Sequence, residues 1–159
     1  MSASFQFSEA NGAGETVTDG IGNLNFGSID LHELTPGTYP IVAGNNSYEK
    51  YLKCHLYGTF TTISNMKFWK SVGALKTGEA IKATEATAYA TPVATASAVA
   101  VDDVPTGVGS AIAVHSFGGT TTITAPGYTR YICLQLQTTS STPPGALNTK
   151  TFTFQYDEV

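Results

Sequence analysis

The sequence predicts an all-β protein: an antiparallel β-sandwich of jelly-roll-like topology, with an extended N-terminal arm. Three observations carry this. Residues 149–156 alternate without a break, Phe152, Phe154 and Tyr156 on one face and Thr151, Thr153 and Gln155 on the other, the period of a half-buried strand. Thr occurs 24 times in 159 residues, whereas charged residues make up only 13%, about half the usual ~25%. Thr is stiff at χ1, suits strands, and keeps an exposed face wet without charge. Gly, Pro, Asn and Asp clusters punctuate the chain at short intervals, as antiparallel connections require.

Residues 1–30 read as an extended, Gly-rich arm able to hold short strands, and residues 31–159 as a single sandwich domain. In the arm, Phe5 and Phe7 alternate with Ser4, Gln6 and Ser8 before turns at 11–14 and at Asp19-Gly20. Leu24 and Phe26 suggest a next strand, with a parity shift near Gly27 that signals a bulge or a strand end. Pro36-Gly37 suits the centre of a type II turn, and Tyr39–Val42 a short edge strand. The clearest element runs from Ser47 to Phe60. Its even positions from Leu52 onward are core-like, and its odd positions are polar apart from Tyr51 and Tyr57.

Residues 63–70 are ambiguous, because Ile63, Met66 and Trp69 fit a helical stripe while Met66 and Phe68 fit one strand face and Trp69 the other. β-rich neighbours favour the strand. Lys76–Glu79 reads as a hairpin turn into 80–88. The Ala/Thr/Val-rich stretch 83–101 reads as two short strands or as one strand and a connector, since Pro92 blocks a continuous helix. Hairpin grammar follows around Phe117-Gly118-Gly119, and 128–137 forms a second long strand with Ile132, Leu134 and Leu136 on one face. About eight to ten strands at this spacing argue for a sandwich.

Charge is segregated. Residues 1–49 hold six acids and no base, residues 50–76 five lysines and no acid, and the remainder three basic and six acidic residues. Such blocks can pair within one chain or between copies. Five lysines without Arg in a chain of net charge −4 argue against nucleic acid as a partner. No membrane span is expected, because nothing approaches ~20 consecutive apolar residues, and the N-terminus lacks the features of a signal peptide. Cys54 and Cys133 sit within strand patterns and read as small buried hydrophobes; a disulfide between them would need adjacent strands in register.

Catalytic residues, a cofactor and a metal are not expected. His32, His55 and His115 are dispersed, no Gly-x-Ser-x-Gly occurs, and Asp102-Asp103 and Asp157-Glu158 read as solvated loop acids. Paired carboxylates can assemble from distant strands, but nothing in the residues selects a pair. The residues singled out for partner binding are Phe5, Phe7, Lys50, Lys53, Lys67 and Lys70, with Tyr51, Tyr57 and Trp69 as aromatic platforms for a protein or a glycan.

Several phrases, Gly27-Ser28-Ile29-Asp30, Asn46-Ser47-Tyr48-Glu49-Lys50-Tyr51, Ile63-Ser64-Asn65-Met66-Lys67-Phe68-Trp69-Lys70 and residues 148–158, resemble structural proteins of tailed phages and prophages. The resemblance implies a non-enzymatic virion component made in the host cytoplasm. Within that class it implies a capsid decoration protein that binds the major capsid protein and copies of itself through sheet edges and the arm. A tail or neck protein, and a host-glycan-binding sandwich, are the alternatives.

Overall fold

The computed structural model describes residues 2–12 and 14–159. It is all-β, with nine strands in two antiparallel sheets and no helix among the described residues. The strands are β1 (Ser2–Asn11), β2 (Thr16–Asp19), β3 (Lys50–Thr59), β4 (Ile63–Val72), β5 (Glu79–Ala86), β6 (Ile112–Ala113), β7 (Gly127–Tyr128), β8 (Tyr131–Thr138) and β9 (Thr151–Glu158). The larger sheet runs β2-β1-β3-β8-β5, with β7 also paired to β3, and the smaller runs β6-β4-β9. One core lies between them, with Leu52, Cys54, Leu56, Ile132 and Leu134 from the larger sheet and Met66, Phe68 and Phe154 from the smaller. Six strands facing three do not establish the jelly-roll order expected from the sequence.

The extended N-terminal arm expected from the sequence is not confirmed in this structure. Residues 2–10 pair with β3 from Ser2↔Thr59 to Ala10↔Tyr51, and Asn11 and Thr16 open the β1–β2 hairpin. Ala13, part of the expected turn there, lies outside the described residues. Phe5 and Phe7 point between the sheets, 5.3 Å from Phe154 and 6.3 Å from Phe68 by ring centroids. Their alternation is that of a sheet strand, and backbone pairing to a central neighbour holds it there.

Residues 63–70 form a strand, and the helical-looking spacing has a local cause. Asn65 takes φ 50°, and the β4–β9 register shifts between Ser64 and Lys67. An extra residue switches side-chain parity, so Ile63 and Met66 are both buried although three apart. Beyond the bulge, Met66, Phe68 and Lys70 are buried while Lys67 and Trp69 are only partly covered.

Between β2 and β3 the expected short strands at 24–28 and 39–42 do not form. Their backbone bonds are isolated ones, such as Ser28 N donating to Tyr39 O (3.1 Å) and Tyr48 N to Gly27 O (3.0 Å). A Cβ on Gly27 would lie 2.7 Å from Leu34 Cδ1, so the apparent parity break marks a close approach. The Pro36-Gly37 turn closes through Thr38 N to Thr35 O (3.0 Å), but Gly37 stays outside the left-handed region, so it is not type II. The Lys76–Glu79 turn also forms, yet it joins the two sheets instead of closing a hairpin, since β5 pairs with β8.

Residues 87–101 are the connector alternative, without strand, and act as a strap over the outer face of the larger sheet. Gln135 Nε2 donates to Val93 O (3.3 Å) and Thr95 O (2.7 Å), and its Oε1 accepts from Ser97 N (2.9 Å). Glu49 accepts from Val93 N (3.2 Å) and from the Ser97 hydroxyl. Beneath the strap Tyr51, Tyr131, Cys133 and Ala10 form a second buried cluster with Ala100 of the strap itself. This is why β8 is buried on both faces from Tyr131 to Leu136.

Candidate binding surfaces

The charge blocks meet within the chain. Lys50 Nζ donates to Glu9 Oε1 (2.6 Å) and to Leu31 O, with both charged side chains fully buried. Glu9 Oε2 accepts from Glu33 N (3.2 Å). Glu9 shares the inward parity of Phe5 and Phe7, and Lys50 that of Leu52, so the pair ends the core at one side of the sandwich. Lys53 Nζ bonds Glu15 (3.1 Å) and lies 4.1 Å from the Tyr131 ring centroid and 4.8 Å from that of Phe117, a cation held by a carboxylate and aromatic faces. Lys70 Nζ donates to Gly73 O (2.7 Å) and is 7% exposed. Lys50, Lys53 and Lys70, expected to face a partner, are thus spent on the fold. So is Tyr51, wholly buried under the strap.

Two surfaces remain open. On the smaller sheet, Trp69 pairs across the ladder with Thr153, and Lys67 pairs with both Gln155 and Ala113. Ser71 and Thr153 link their hydroxyls at 2.7 Å beside them. This outer face carries a partly covered indole among neutral polar groups, with Lys67 its charge along that stretch of β4. β9 pairs only with β4, so its other edge takes no strand partner among the described residues.

On the larger sheet, the strip that the strap covers at one end emerges at the other as His55, Tyr57 and Tyr128. His55 stacks on Tyr128 at 4.3 Å and 17° and sits 5.8 Å from Tyr57. Asp19 gathers the polar contacts: Ser8 Oγ donates to it (2.6 Å), Tyr128 Oη donates (2.8 Å), and His55 Nδ1 lies 3.5 Å away. The Ser8 hydroxyl foremost, with Tyr128 and His55, holds the Asp19 carboxyl below its ordinary pKa against the cost of burial. Tyr57 and Phe117 are 41% and 56% exposed.

The three aromatics singled out as platforms lie apart: Tyr51 under the strap, Tyr57 at the open end of that strip, and Trp69 on the other sheet. His55, Tyr128 and Asp19 were not singled out in the sequence. Their signal is the odd parity of His55 with Tyr57 along β3, but Asp19 and Tyr128 join them only through pairing across the sheet. Asp103 pairs with Lys82 (2.7 Å) and Asp157 accepts from Asn65 (3.0 Å). Among the described residues no group of three or more His, Cys, Asp and Glu could hold a metal ion. Cys54 and Cys133 are free and buried. Their strands are neighbours, but Cys133 lies opposite Tyr51, which puts the two thiols on opposite faces of the sheet.

Compared with known proteins, the chain matches no family model, no curated protein and no solved structure.

Proposed function

We propose that this protein is a non-enzymatic structural component of a phage particle, a decoration protein seated on the capsid through its smaller sheet. The observation that carries the reading is the outer face of β4 and β9, which the strap does not reach and on which Trp69 stays partly exposed. A partly exposed Trp amid Thr, Ser and Gln suits a protein contact, because it offers apolar area with little charge to desolvate. The free edge of β9 supplies backbone donors and acceptors beside it, for coat protein or a neighbouring copy. Each such contact is modest, and repetition over a lattice makes the clamp strong. In this reading the chain is made in the host cytoplasm and ends in the virion. Its partners are the major capsid protein and further copies of itself, with Lys67 as the one lysine of the expected set left to meet an acidic neighbour.

Cryo-electron microscopy of the particles, with this chain identified by mass spectrometry, tests the proposal. Density on the head lattice with the smaller sheet inward supports it, and density confined to tail or neck overturns it. Trp69→Ala should lower head occupancy at least tenfold without unfolding the domain.

A second reading, recognition of a host glycan, is favoured by the Tyr57–His55–Tyr128 strip with Asp19 at its side. Aromatic faces beside hydrogen-bonding carboxylates suit sugar rings. Binding on a glycan array that disappears with Tyr57→Ala would replace the capsid reading; no binding to any glycan would remove the alternative.

A further inference from the structure

Six strands face three, so the smaller sheet covers only part of the inner face of the larger. Over the remainder lie irregular segments, and between them and the sheet is a cleft of about 1040 Å³. Its floor is Phe7, Leu52, Leu136 and Ile81, one side chain from each of four successive strands, β1, β3, β8 and β5. Its walls are Leu24, Phe26, Ile41, Leu147 and Phe152, with Pro143 and Pro144 at the lip. Most of the hydrophobic residues that pack on the core without being fully buried line this one space. Among the half-buried hydrophobics at the margin of the core, incomplete burial is concentrated here.

We infer that the cleft binds an uncharged aliphatic chain, such as the tail of a lipid or a long-chain alcohol. Two features select that class. The lining holds one acid and one base, Glu79 and Lys150, and they bond each other, so no free charge awaits a charged ligand. The floor is a sheet face whose strands are already paired with one another. A peptide laid across it would leave its own amide groups without partners, whereas a hydrocarbon has none to satisfy. Four strands at a spacing of ~4.8 Å span ~14 Å, the length of an extended chain of about ten to twelve carbons.

The test uses the intact protein and the neutral fluorophore N-phenyl-1-naphthylamine, displaced by a series of straight-chain alcohols. Fluorophore emission should rise and shift to the blue, and octanol, decanol and dodecanol should displace it with affinity rising about fourfold per methylene. Ile41→Asp and, separately, Leu147→Asp, both at half-buried wall positions, should weaken binding at least tenfold with the far-ultraviolet circular dichroism unchanged. Val72→Asp, on an exposed site of β4, should leave it intact. No emission change in the wild-type protein overturns the inference. So does displacement that is indifferent to chain length, displacement by an extended apolar decapeptide but not by dodecanol, or equal binding by all three variants.

Discussion

The two sheets treat their outer faces in opposite ways. The larger carries the strap, a tyrosine cluster and a lysine wedged among rings, so β3 and β8 read as buried on both sides. The smaller leaves Trp69, Lys67 and Thr153 partly exposed and Thr151 of β9 open to solvent. Both outer faces look half-polar in the sequence, with Lys and Tyr or with Lys and Trp. Polarity alone therefore does not tell a face that the chain covers from one that it leaves open; the availability of a covering segment does.

The comparison breaks first at Lys50. Lys50→Met leaves Glu9 as an uncompensated buried carboxylate and should cost about 3–5 kcal/mol. In urea denaturation, Lys67→Met on the open sheet should stay within about 0.5 kcal/mol of wild type. The double variant Glu9→Leu with Lys50→Met should regain most of the loss; if it does not, the pair's hydrogen bonds to Leu31 and Glu33 matter more than its charge balance. Next comes the strap. Gln135→Leu removes the donor to Ser47 O, Val93 O and Thr95 O and should cost about 2 kcal/mol through orphaned carbonyls. Amide exchange should rise over 93–101 and stay unchanged in β9. Equal exchange in both regions would mean that the strap is not a separate layer.

Smaller effects sharpen the contrast. Burial pushes the Cys133 thiol up to about 12 and the Cys54 thiol well above its usual value. Neither should react with a disulfide reagent at pH 8 until denaturant is added, and prompt labelling of one thiol would mark its face of the sheet as open. The smallest change concerns Asp19. Because its folded pKa lies below the ordinary value, its stabilisation is fully present above that ordinary value, near pH 4, and is lost as pH falls through the folded one. Asp19→Asn should flatten only this acid limb, and by little, since the group is more than a third exposed. An unchanged acid limb would show that these contacts do not favour the charged form of Asp19.

What was legible in the sequence is where parity alone decides. β9 keeps its aromatic face inward, β8 keeps Ile132, Leu134 and Leu136 inward, and the turn residues fall at turns. What was not legible depends on chain segments distant in sequence. Tyr51 and Lys53 look like solvent-side residues until 87–101 or Phe117 arrives over them. The arm looked separate because its partner strand begins some forty residues later. Asn65 misled more locally, since one left-handed residue converts a strand's two-residue spacing into a helix-like three. The site residues divided in the same way: Tyr57 kept its exposure, and Trp69 and Lys67 part of theirs, because the strap does not reach them.

The pairing order also sets a schedule. β4 has the two-residue β6 on one side, and its long partner is β9, whose residues 151–158 follow it by some eighty positions. On a ribosome, β1 to β3 can register early, but Phe68 and Met66 stay uncovered until that late segment has been made. Non-local closure of this kind is slow, and it cannot precede synthesis of residues 151–158. A nascent chain halted before residue 151 should therefore be a form that chaperones hold.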